Sequence, residues 1–207
     1  MSRSDSSPAR LRHRSPADKA RVRNRILKTT LALLVEKGYA GFSLREVARR
    51  TGFSAGNLYL YFQSKDDLLY AVIENGFRHF RSALAESAAA HADPLERIAA
   101  MGHRYVCFGL ENAALYDIMF VKCPDYLFVE RPIPGLDTLT MLQEAIREGV
   151  QTGLIYSGDI EGMADAVWAC VHGIVVLTQA SPLFDADRVE RVLASAIDII
   201  LHGIHSR

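Results

Sequence analysis

The sequence predicts an all-α protein: an N-terminal three-helix helix-turn-helix module followed by a C-terminal helical domain. Three observations carry this. Apolar residues recur at three- and four-residue spacing over most of the 207 positions. No stretch of useful length alternates in the manner of a strand. The charge is also split along the chain. Residues 1–70 hold 14 Lys and Arg against 6 Asp and Glu, and residues 71–207 hold 10 against 18, so the net charge of +0 conceals a basic module followed by an acidic one.

Composition narrows the class further. At 49% hydrophobic and 23% charged residues, the chain can bury a core without staples. Cys107, Cys123 and Cys170 form no CxxC pair, and the odd count argues for a reducing, cytoplasmic setting. The longest nearly apolar run, residues 166–177, is 12 long. A bilayer span needs about 20, so no membrane partner is expected. The N-terminus is polar and basic and lacks the apolar segment of a signal peptide.

Residues 1–18 are rich in Ser, Pro and Arg, with Leu11 their only large aliphatic, and are expected to form a disordered basic arm. A first helix is expected from Ala20, carried by Ile26, Leu27, Leu31, Leu34 and Val35 and stopped by Gly38, with residues 39–42 as a connector. Ser43 and Glu46 have the spacing of a capping box, in which each side chain caps the other's backbone N–H, and open a short helix. Thr51-Gly52-Phe53 breaks it, and Ser54 starts a second short helix that runs to about Phe62. Ser64, followed by Asp66 and Asp67, opens a long helix from 65 to about 90. Pro94 starts another, and Pro124, Pro132, Pro134 and Gly135 mark a loop. Helices are expected at 137–152, 160–180 and 185–204.

A long helix followed by two short ones across a glycine turn is a helix-turn-helix arrangement, whose second helix reads the major groove. The run from Ile26 to Leu69 contains E-K-G-Y at 36–39, S-L-R-E-V-A at 43–48, T-G-F-S at 51–54 and N-L-Y-L-Y-F-Q-S-K-D-D-L at 57–68. It closely resembles the N-terminal domain of TetR-family transcriptional regulators. That resemblance implies a dimer, operator binding by residues 19–66, and an effector-binding and dimerisation domain in residues 67–207. It assigns Ser43 to phosphate and Arg45 to phosphate or a base edge. Ser54, Ala55, Gly56 and Asn57 become the leading turn of the recognition helix. Tyr59, Tyr61 and Lys65 become phosphate contacts. Leu58 and Phe62 read as core. Gly56 serves either close backbone approach to DNA or helix packing. With Ala55 and Gly56 so short, base readout falls on Arg45, Asn57 and the basic arm.

In the C-terminal part, Trp168, His172 and Gly173 form a W-x-x-x-H-G pattern that resembles the C-terminal domain of one subgroup of these regulators. The helix holding it and the last helix, with Val189, Val192, Leu193, Ala196, Ile197 and Ile200, would form a homodimer interface through residues 160–204. The resemblance places an effector pocket among the middle helices. Met101, Tyr105, Phe108, Tyr116, Met119, Phe120, Trp168 and His172 are its candidate lining, and plain core is the alternative role for each. His103 and His172 read as polar anchors or as structural histidines.

The expected partners are therefore a double-stranded DNA operator, a small-molecule effector and a second copy of the chain, and the expected function is that of a ligand-responsive repressor. No cofactor and no metal is expected. An enzyme is disfavoured, because no glycine-rich phosphate loop, G-x-S-x-G or H-E-x-x-H occurs.

Overall fold

The structure is a computed structural model that describes residues 15–205. The residues divide into two compact units: residues 15–75 with Pro124–Glu130, and Gly76–Cys123 with residues 131–205.

In the first unit α1 spans Pro16–Gly41. It starts inside the expected arm because Ser15 Oγ accepts from the Asp18 N–H at 3.1 Å and Pro16 occupies the first helical position. Residues 16–18 are thus helix; residues 1–14 of the expected arm lie outside the described residues. Gly38 interrupts the helix at φ 67°, a left-handed conformation that glycine adopts without strain. Helical geometry resumes to Gly41, so the expected connector is in part a further turn.

The two short helices follow: α2 (Leu44–Thr51) and α3 (Ala55–Tyr59). Between them Gly52, at φ 71°, donates to Arg49 O, and the Phe53 N–H donates to Ala48 O at 2.9 Å. This is a Schellman ending, and it fixes the sharp turn that the T-G-F sequence announces. α1 packs on α2 and α2 on α3 around buried Ile26, Leu33, Phe42, Val47, Leu58 and Phe62. The long α4 (Lys65–Ala89) contributes Leu68, Leu69, Val72 and Ile73 to the same buried set.

In the second unit α5 (Pro94–Glu111) is capped by Asp93, whose carboxylate accepts from the Leu95 and Glu96 N–H groups. The helical path breaks at Asn112, whose side-chain amide donates to Phe108 O. It resumes as α6 (Ala113–Tyr116) and a π-helical turn, Asp117–Val121. The last three helices are α7 (Leu136–Gln151), α8 (Ile160–Ala180) and α9 (Ala186–Ile204), at the bounds the sequence predicts to within about one residue. α5 packs against α7, α8 and α9; α8 also packs against α7 and α9.

By length and composition α8 could cross a bilayer, with a mean hydropathy of 1.5 over 18 residues. The 12-residue run read from the sequence understated its apolar length, because isolated polar residues such as His172 barely lower the average. In the fold this helix packs on three others of its unit.

Candidate nucleic-acid interface and aromatic cluster

The interface candidates lie on α2, α3 and the start of α4. Ser43 caps α2, its hydroxyl accepting from the Glu46 N–H at 3.3 Å. The other half of the expected capping box is replaced. The Glu46 carboxylate binds Arg49 in a fork at 2.8 and 3.0 Å and also meets Lys37 at 3.3 Å and Arg50 at 3.4 Å. Charge-assisted bonds to cations win over a bond to a neutral amide. Arg49, contributing most, and Lys37 hold the Glu46 carboxyl down to about 2. Arg50 is forked to Glu36 at 2.7 and 2.6 Å.

Arg45 differs from its neighbours. It is exposed and makes no ion pair among the described residues, whereas Arg49 and Arg50 are both compensated. Lys65 likewise lacks a carboxylate partner there; its ammonium lies 4.1 Å from the centroid of the Tyr39 ring and 4.8 Å from that of Phe42. The Tyr39 hydroxyl is bonded to Asp66, and Tyr126 donates to Tyr39 at 2.9 Å. Burial first, then the Asp66 carboxylate, pushes the Tyr39 phenol far above its ordinary value.

On α3, Ser54 caps the helix through the Asn57 N–H at 3.2 Å. Gly56, Tyr59 and Leu60 are exposed at positions i, i+3 and i+4 and so share the outward face. A Cβ on Gly56 would meet nothing within 4 Å, so helix packing does not require glycine there. Ala55 is half-buried at the edge of this face.

Two candidates need correction. Asn57 is only 3% exposed and points into the unit, so it does not present its amide to a base edge. Tyr61 is half-buried and its hydroxyl is closed off from solvent without a hydrogen-bond partner among the described residues, so it does not present a phosphate contact. Asn57 lies on the inward side of α3 and Tyr61 in the turn that follows it, beside core residues Leu58 and Phe62. An unpaired buried hydroxyl costs stability. Tyr61→Phe is therefore expected to raise stability by up to about 1 kcal/mol and leave duplex affinity unchanged, as read by chemical denaturation and a binding titration. A drop in affinity would restore Tyr61 to the interface.

In the second unit six of the eight pocket candidates come together. Trp168 Nε1 donates to the Tyr105 hydroxyl at 3.1 Å. The Tyr105 and Tyr116 hydroxyls are 2.9 Å apart, and the Tyr116 hydroxyl is 2.5 Å from His172 Nδ1. So short a contact requires a proton between the two atoms, carried either by the Tyr116 hydroxyl or by Nδ1 of the ring. Phe120 stacks on Tyr116 at 4.6 Å between centroids, and Phe108 joins through Phe80 at 5.0 Å. Burial pushes the Tyr105 phenol up to about 12 and raises Tyr116 further still.

The other two candidates separate. Met101 belongs to the packed core with Ile98, Leu142, Ile146 and Met163. Met119 fills the space over Gly76, where a Cβ would lie 2.6 Å from its sulfur. His103 is exposed, with Nδ1 3.5 Å from Cys107 Sγ, and does not join the cluster. Phe77 and Phe80, which the sequence reading passed over, complete the aromatic group from α4. Their i, i+3 spacing was the available signal.

Burial lowers the His172 pKa below its ordinary 6.5. Below that value the unfolded chain takes up a proton that the folded chain refuses, so stability falls as pH falls. Thermal stability is expected to begin to drop as pH falls below about 6.5, above the range where the Glu36, Glu46 and Glu111 carboxylates titrate. His172→Gln should flatten that part of the profile; an unchanged slope would assign it to other groups.

Comparison with known proteins agrees with this geometry. Residues 26–72 match the profile described as bacterial regulatory proteins, tetR family, and residues 98–200 match that of the tetracyclin repressor-like C-terminal domain. The fatty acid metabolism regulator protein of Bacillus subtilis is 22% identical over 88% of this chain and 95% of its own length. A Rhodococcus sp. RHA1 structure of unknown function superposes with a TM-score of 0.80 at 26% identity, covering 94% of this chain and 98% of that one. The Bacillus subtilis regulator FadR, solved in complex with stearoyl-CoA, superposes at 0.76 with 19% identity, covering 87% of this chain and 98% of its own. With its helix-turn-helix, its outward basic residues and two matching profiles, the chain belongs to the tetR family of bacterial regulatory proteins and is a DNA-binding transcription regulator rather than an enzyme.

Proposed function

We propose that the protein is a repressor that binds a palindromic operator as a homodimer through residues 160–204 and lets go when a small, mostly apolar effector binds. Residues 19–66 are the DNA reader, and residues 67–207 hold the effector and the dimer contact. The observation that carries the reader is the contrast on α2: Arg45 stands outward with no ion pair among the described residues, beside two arginines that are tied to carboxylates. Ser43, Ser54, Ala55, Gly56, Tyr59 and Lys65 complete the DNA-facing set, with the hydroxyls and the ammonium on phosphate and the small residues allowing close approach. Tyr105, Phe108, Tyr116, Phe120, Trp168 and His172 form the effector site. Trp168 is 40% exposed while Tyr105 and Tyr116 are buried, so the polar chain runs from the surface into an aromatic interior. The stearoyl-CoA complex of the Bacillus FadR favours an acyl chain as the first effector class to try.

The test uses duplexes enriched by the full-length protein from a randomised pool. Arg45→Ala is expected to weaken the enriched duplex by roughly 10–100-fold and to reduce the slope of log affinity against log salt. Failure of the protein to enrich any duplex would overturn the reader. Stearoyl-CoA, titrated into the complex, is expected to release it while Trp168 fluorescence changes. Fluorescence changes without release would overturn the switch alone.

A further inference from the structure

We propose that Leu60 is a specificity residue that recognises the 5-methyl group of one thymine in each operator half-site. The inference rests on the DNA-reading role of α3 and names the chemistry that the helix can use there. From Thr51 to Ser64 the sequence contains no charged residue. Asn57, the only amide side chain within α3, is buried, and so are Leu58 and Phe62. The outward face therefore offers Gly56, with no side chain, Tyr59, with one hydroxyl, and Leu60. A guanidinium or amide fork to guanine or adenine is not available from this helix.

Leu60 is 64% exposed, although the unit has an apolar interior within one turn, where Leu58 and Phe62 are fully packed. An exposed leucine on a face that otherwise meets phosphate and base edges gains by burial against an apolar surface. The thymine methyl is the apolar group that the major groove displays. Gly56, one turn earlier on the same face, has open space where a Cβ would stand and lets the backbone approach closely enough for the leucine to reach. Tyr59, beside it, is free to hold a phosphate and set the register. Recognition by one apolar contact per half-site, plus Arg45, implies a reader that is tuned by methyl groups rather than by hydrogen bonds along α3.

The experiment replaces each thymine of the enriched duplex, one at a time, with deoxyuridine. This removes the methyl group and leaves every hydrogen-bonding edge intact. One position per half-site is expected to lose about fourfold in affinity, or roughly fifteenfold when both half-sites are changed, the scale of one buried carbon. Leu60→Ala should weaken the thymine duplex to a similar extent or more and remove the difference between thymine and deoxyuridine at that position. Its exposure leaves folding intact, which circular dichroism checks. A methyl effect that persists in Leu60→Ala, or no methyl effect at any position, would overturn the inference while leaving DNA binding established. A wild-type protein that enriches no duplex would instead overturn the reader itself.

Discussion

A glutamate at Leu177 or Ile199 is expected to yield a folded monomer that binds the operator roughly 10²–10⁴-fold more weakly. Leu177 on α8 is 49% exposed and Ile199 on α9 is 70% exposed. In the same helical stripe as Leu177 stand exposed Ala166, Ala169 and Ala180, with Asp165, Trp168 and Gln179 exposed beside them, and Gly173 has open space where a Cβ would stand. Small residues let a second helix approach closely, and only 33% of the most apolar stretch of α8 is buried within the chain. In a two-fold dimer formed through these helices each introduced carboxylate would enter the interface twice, where an unpaired, desolvated charge costs several kcal/mol. In the separated chain the same carboxylates face water, so folding survives. Val175, which sits on the same helix and looks equivalent in sequence, is not a usable probe. It is fully buried against Gly109, where even a Cβ would come within 2.6 Å of it, and a charge there would unfold the unit. Light scattering gives the mass and a titration gives the affinity. A variant that remains dimeric would place the interface elsewhere; a monomer with full affinity would show that two half-sites are not needed.

Phe80→Ala is expected to cost about 3–5 kcal/mol of stability. Phe80 is buried on α4, with its ring 5.0 Å from those of Tyr105 and Phe108 and 5.9 Å from that of Phe120. Truncation removes all three ring contacts and leaves an apolar hole that the hydrogen-bonded Tyr105 cannot collapse into without breaking its bonds to Trp168 and Tyr116. A dry cavity of that kind takes up small aromatics. Benzene or indole is therefore expected to restore part of the lost stability in proportion to its saturation of the site. Denaturant titration with and without benzene reads both effects. A loss below about 1 kcal/mol would mean that the ring is not held as described.

Sequence pattern alone determined the all-helical class, the bounds of the last three helices and the helix-turn-helix, because each depends on local signals: apolar period, caps, and a glycine where the chain must turn left-handed. Ser43, Ser54 and Gly52 do locally what their positions announce. Side-chain direction was not legible in the same way. Asn57, Tyr59, Leu60 and Tyr61 are neighbours in sequence, yet two point inward and two outward, because a helix of five residues ends within them and the chain then turns toward α4. The partners of charges were equally hidden. Glu46 chose Arg49, Lys37 and Arg50 over its own cap, and Glu36 reached across 14 positions to Arg50, which left Arg45 as the arginine of α2 without an ion pair among the described residues. Tertiary structure likewise sorted the aromatic and methionine residues, sending Met101 to the core and joining Tyr105, Tyr116, Trp168 and His172, up to 67 positions apart, in one hydrogen-bonded chain. Period and capping are properties of a few consecutive residues; which polar groups pair, and which apolar side chains stay in water, is decided only when distant helices compete for the same space.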